Sequence, residues 1–154
     1  MKNKILYKLL QEKKITFGAI ESMTGGLFSK TITDLPGISS FFKGALIAYQ
    51  EETKTNILKI NKDLINKYGV VSKEVAVALA KAGQKYLNVH LCIAITGNAG
   101  PSVEKDQKEI GEVYYAISYL EKFYSYELKL VGQRNKIREK TVKKMIESII
   151  SILS

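Results

Sequence analysis

A serine becomes a useful nucleophile only when a neighbouring base takes its proton, so hydroxyls in turns, and bases that can fold back onto them, are weighed first. One such hydroxyl lies in Glu21-Ser22-Met23-Thr24-Gly25-Gly26, between an apolar run over 15–20 and a helical pattern over 27–34. Adjacent glycines let the chain turn tightly and bring backbone N–H groups close to a ligand. The start of a helix favours an anion, either a phosphate or a developing oxyanion. Ser22 is therefore a candidate nucleophile, with Thr24, Gly25 and Gly26 facing the ligand. The plainer reading of the same residues is that Ser22 or Thr24 caps the helix.

The chain offers few conventional bases. Its one histidine, His90, stands in the apolar run Val89-His90-Leu91-Cys92-Ile93-Ala94-Ile95, where a packed strand residue is expected. A desolvated lysine is the usual alternative, because burial disfavours its charged form. Lys54, in Tyr49-Gln50-Glu51-Glu52-Thr53-Lys54, follows a second apolar run by one helical turn and can reach back over that run's end. Composition alone does not single it out from the other lysines. Tyr49 can orient or relay a proton, or can be a plain strand-end aromatic. A third turn, Thr96-Gly97-Asn98-Ala99-Gly100-Pro101, again permits close backbone approach, and Thr96 can donate to a ligand. Its plainer reading is a simple exit from a strand. Cys92, inside an apolar run, is expected in the core. Phosphate-binding glycine loops and paired-histidine metal motifs do not occur.

These turns need strands and helices to position them. Apolar spacing predicts helices over 2–13, 27–34, 51–58, 62–68, 73–87 and 134–152, with Ser72 as N-cap of the fifth. Strands are expected over 15–20, 44–49, 89–95, 113–119 and 123–131, the last two as an antiparallel hairpin. The order implies a single α/β layered domain over residues 1–154, with a mixed, mostly parallel sheet flanked by helices, a C-terminal hairpin and a closing helix. In such sheets, sites form at the carboxyl ends of strands.

Composition bounds the rest. The 154 residues are one ordinary domain's worth. One cysteine excludes an internal disulfide and cysteine-cluster zinc. The sequence has no apolar run long enough to span a membrane and no signal-peptide core, so a cytoplasmic protein without membrane partners is expected. The net charge of +9, from 24 basic and 15 acidic residues, suits anionic ligands. The lysines are scattered over helical faces, however, so nucleic acid is not expected as a partner.

Taken together, these segments resemble the CinA C-terminal domain family, which includes the nicotinamide-nucleotide amidohydrolases. The likeness rests on Ala19-Ile-Glu-Ser-Met-Thr-Gly-Gly26, Thr33-Asp-Leu-Pro-Gly-Ile-Ser-Ser40 and Gly44-Ala-Leu-Ile-Ala-Tyr-Gln-Glu-Glu-Thr-Lys54. It continues through Tyr68-Gly-Val-Val-Ser72, Thr96-Gly-Asn-Ala-Gly-Pro101, Lys108-Glu-Ile-Gly-Glu-Val-Tyr114 and Gly132-Gln-Arg-Asn-Lys-Ile-Arg138. The resemblance implies a stand-alone cytoplasmic α/β domain, forming homo-oligomers, that hydrolyses the carboxamide of nicotinamide mononucleotide to nicotinate mononucleotide and ammonia in pyridine nucleotide recycling. The family's nucleophile then falls on Ser22, its lysine on Lys54 and its tyrosine on Tyr49. The ligand-contacting turn falls on Thr96 and Gly97, and Arg134 or Lys108 would meet the phosphate. Backbone N–H groups around Gly25 and Gly26 would hold the oxyanion. No metal or redox cofactor is required by this chemistry.

The sequence departs from the family pattern at Met23, where cysteine is usual, at Asn98 and Gln133, and across 102–110, which lacks the usual glycines. The rival expectation is a non-catalytic nucleotide- or nucleic-acid-binding module of the same fold. A weaker one is hydrolysis of another amide or ester by the same pair.

Overall fold

The computed structural model describes residues 2–101 and 109–154. Lys108 thus lies outside the described residues, as does most of the 102–110 segment. The chain runs α1 (Lys2–Lys13), β1 (Phe17–Glu21), α2 (Leu27–Thr33), a 3-10 turn (Ile38–Ser40), β2 (Phe42–Ile47), α3 (Glu51–Leu58), α4 (Lys62–Tyr68), α5 (Lys73–Leu87), β3 (Leu91–Gly97), β4 (Glu112–Tyr119), β5 (Lys122–Lys129) and α6 (Arg134–Leu153). This is the order expected from the sequence with one 3-10 turn added.

The five strands form one open sheet in the order β2-β1-β3-β4-β5. β1 pairs parallel with both β2 and β3, and β3-β4-β5 continue antiparallel. The sheet is mixed, with parallel and antiparallel pairings in equal number. Alternation along the strands builds two cores. Phe17, Ala19, Leu91, Ile93 and Ile95 face one side, where they meet Leu6 and Leu10 of α1, Phe28 and Ile32 of α2, and Ile137 and Met145 of α6. Ile20, Cys92 and Ala94 face the other, against Leu58 of α3, Ile65 of α4 and Val75, Ala76, Leu79 and Ala80 of α5. The burial of Cys92 agrees with its reading as core, and burial pushes its thiol pKa up.

β3 begins two residues later than the apolar pattern suggests. His90 is exposed and precedes the strand, and its Nδ1 accepts from the Thr16 backbone N–H at 3.0 Å. The expectation of a packed strand histidine therefore does not hold: β3 joins the β1 ladder only at Leu91, opposite Phe17. Ser72 caps α5 as expected, accepting from the Val75 N–H at 3.2 Å.

The connection leaving β1 leads to β2 on one side, and the connection leaving β2 returns across β1 to β3 on the other. The carboxyl ends of β1, β2 and β3 thus converge where the chain switches direction across the sheet, the place where open α/β sheets form a ligand crevice.

Candidate active site

Ser22 is the first residue after β1 and is buried. Lys54 sits in the second turn of α3, only 1% exposed. The loop after β2 is short enough for the lysine to fold back over the strand end. Lys54 Nζ donates to the Ala48 carbonyl at 2.7 Å and lies 3.5 Å from the Tyr49 carbonyl. It stands 3.0 Å from Ser22 Oγ. The structure therefore brings together two residues that are 32 positions apart, in hydrogen-bond contact and largely buried.

The two carbonyls can only accept hydrogen bonds, whereas the hydroxyl can donate or accept. An uncharged amine has two N–H bonds and one lone pair. With the N–H bonds turned towards Ala48 and Tyr49, the lone pair faces the Ser22 hydroxyl. Burial disfavours the charged form of a lysine, and the neutral amine is the form that can take a proton.

Two cavities open on Ser22. The first, about 400 Å³, is lined by Ser22, Tyr49, Lys54, Val70, Val71, Thr96 and Gly97, among others. The second, about 280 Å³, is lined by Ser22, Met23, Tyr49, Gly97, Asn98, Ala99 and Arg134. Ser22, Tyr49 and Gly97 border both. Gly97 is needed there for room: a Cβ on it would stand 2.6 Å from Met23 Sδ and 2.9 Å from Val113 Cγ2. Arg134 opens α6 and donates to the Tyr49 hydroxyl at 2.8 Å and to the Gly100 carbonyl. Tyr49 is 52% exposed, and its hydroxyl meets Arg134. Only its main chain is bonded to Lys54.

Other expected site residues are placed differently. The Thr96 hydroxyl donates to the Val70 carbonyl at 2.8 Å, so its proton is already used. Thr24, Gly25 and Gly26 line a separate groove with Lys30, Asn135 and Arg138. The glycine amides are also taken, Gly25 N–H by the Ser22 carbonyl at 3.0 Å and Gly26 N–H by Glu21 at 3.2 Å. Of the N–H groups expected around Gly25 and Gly26 to hold an oxyanion, these two are therefore already engaged. Neither Ser22 nor Thr24 caps α2. Glu21 does so from outside the helix, accepting from the N–H groups of Phe28 and Ser29 at 3.0 Å each, and Thr24 Oγ1 donates to the same carboxylate at 2.7 Å.

The bond from Gly25 to Ser22 closes a β-turn with Met23 and Thr24 at its centre. Neither central N–H has an acceptor among the described residues. Successive amides of this kind form a concavity suited to a negative charge, next to the serine itself. Sequence reasoning missed Glu21, Arg138, Val70 and Val71. The carboxylate directly before a turn serine was the one readable signal, since two adjacent α2 residues needed a cap that Gly26 lacks a side chain to supply.

The family model described as CinA C-terminal domain matches residues 1–153. A CinA-like protein from Fervidobacterium nodosum is 38% identical over 137 residues, covering 89% of this chain and 34% of that protein. One from Flavobacterium psychrophilum is 38% identical over 145 residues, 94% of this chain and 35% of its own length. The chain thus spans about a third of the length of these curated relatives. In fold, it matches the crystal structure of a competence or damage-inducible protein from Enterobacter asburiae with a TM-score of 0.97, at 23% identity, over 99% of this chain and 96% of that one. With the profile match covering all but the final residue, the chain belongs to the CinA C-terminal domain family.

Proposed function

We propose that this domain is an amidohydrolase acting on nicotinamide mononucleotide through Ser22 and Lys54. The observation that carries the reading is the 3.0 Å contact between the Ser22 hydroxyl and the buried Lys54 amine, with Ser22 bordering two cavities and Lys54 the first of them. Family membership supports the substrate.

In this mechanism Lys54 accepts the Ser22 proton as Oγ attacks the carboxamide carbon. The carbonyl oxygen becomes an oxyanion, held by the N–H groups of Met23 and Thr24. The C–N bond breaks, the nitrogen takes the proton from Lys54, and ammonia leaves. Water then gives a proton to Lys54 and attacks the Ser22 ester, and nicotinate mononucleotide departs as Ser22 regains its hydrogen. Arg134 is placed to meet the substrate phosphate, and Val70 and Val71 offer an apolar wall for the pyridine ring. Tyr49, bordering both cavities, positions the substrate between them.

The test is ammonia release from purified protein with nicotinamide mononucleotide. The expected result is steady release that Ser22→Ala lowers at least about 100-fold. Tight binding of the nucleotide with no ammonia from the unaltered protein would favour the non-catalytic module instead.

A further inference from the structure

Arg138 takes no part in the chemistry above, yet it grips the turn that carries it. Its Nε donates to the Met23 carbonyl at 2.7 Å across 115 residues of sequence. The guanidinium lies over the turn, so that a Cβ on Gly25 would stand 3.7 Å from one of its terminal nitrogens. Arg138 lines the groove on the Thr24-Gly25-Gly26 side and does not line either cavity that opens on Ser22.

The Met23 carbonyl and the Thr24 N–H belong to one planar trans peptide unit, so they point in opposite directions. With the carbonyl held by Arg138, the Thr24 N–H is fixed pointing away from the Arg138 guanidinium. Without that anchor the unit is free to rotate about its flanking dihedrals. Rotated by half a turn, it would offer a carbonyl where the oxyanion forms and replace attraction with repulsion. The 22–25 turn is also held by the Gly25 N–H on the Ser22 carbonyl, the Leu27 N–H on the Thr24 carbonyl and the Thr24 hydroxyl on Glu21, none of which engages the Met23 carbonyl.

We infer that Arg138 is a positioning residue that holds the Met23–Thr24 peptide with its N–H towards the reacting carbonyl. Arg134 and Arg138 are four residues apart and share one face of the first turns of α6. One ties down Tyr49 and Gly100, and the other ties down the nucleophile turn. The inference rests on the Ser22 amidohydrolase reading.

Two variants test it. Arg138→Met removes the donor. Arg138→Gln places an uncharged N–H the same number of bonds from Cα as Nε, so it restores the donor without the charge. Ammonia release from nicotinamide mononucleotide is measured for both, well below their melting temperatures. The expected result is a fall in kcat of about 10- to 100-fold for Arg138→Met with KM changed less than about threefold, and recovery by Arg138→Gln to within about threefold of the unaltered kcat. A kcat for Arg138→Met within about twofold of the unaltered protein overturns the inference. So does a rise in KM shared by both variants, which would make Arg138 a phosphate ligand. Failure of Arg138→Met to fold, while Arg138→Gln folds but stays impaired in kcat, overturns it too. If the unaltered protein releases no ammonia, or Ser22→Ala matches it, the underlying reading fails and this role falls with it. An active protein with an inactive Ser22→Ala and an unaffected Arg138→Met sinks this role alone.

Discussion

Glu21 is fully buried, yet its carboxylate accepts from the Thr24 and Ser29 hydroxyls and from the N–H groups of Gly26, Phe28 and Ser29. It thereby serves as the cap of a short helix whose own N-cap position, Gly26, has no side chain. The same bonds fix the chain on both sides of Ser22. Replacing Glu21 by alanine strands several buried donors at once, and each unsatisfied group costs about 1–3 kcal/mol. Relaxation and entering water offset part of that. Glu21→Ala is therefore expected to lose about 3 kcal/mol of stability in urea unfolding. A loss under about 1 kcal/mol would show that the carboxylate is not what holds the turn.

At the scale of elements, the site depends on how closely α5 lies on the sheet. Gly83 sits where α5 crosses β1 and β3. A Cβ there would stand 2.4 Å from Ile20 Cγ1 and 2.7 Å from Cys92 Sγ. In an exposed helix, glycine to alanine gains up to about 1 kcal/mol. Here the added carbon meets a packed interior, and overpacking costs about 1–3 kcal/mol. Gly83→Ala is expected to lower the urea midpoint, and an unchanged or raised midpoint would mean that α5 can lift without cost. Ile20 lies two residues before Ser22, so a displaced β1 would also move the nucleophile. α6 is the second positioning element: its first two turns supply Arg134 and Arg138, which bind loops far away in sequence.

Across the whole molecule, the candidate site exists only where the ends of three strands meet, and that much was legible. Glycine-rich turns after apolar runs marked Ser22 and Gly97, and helical spacing placed Lys54 one turn beyond β2. Boundaries were less legible: β3 starts at Leu91 because ladder pairing, not hydrophobicity, sets where a strand begins. The direction of individual N–H groups was not legible either. Two glycines suggested open amides at Gly25 and Gly26, but the fold spends both and leaves those of Met23 and Thr24. The grip of Arg138 spans most of the chain, and no local pattern announces such a contact.

No helix among the described residues is long and apolar enough to cross a membrane. Several surface lysines pair with nearby acids, as Lys30 does with Asp34 and Lys136 with Glu139, and such exposed pairs contribute little to stability. The burial of Lys54 is different, because it puts an amine 3.0 Å from a hydroxyl with little of either side chain exposed. Ammonia release from nicotinamide mononucleotide by Lys54→Met, with folding checked by circular dichroism, tests that arrangement most directly. The account expects a folded protein whose turnover has fallen at least about 100-fold, in line with the loss of a general base. A folded Lys54→Met variant that releases ammonia within about threefold of the unaltered rate would contradict it.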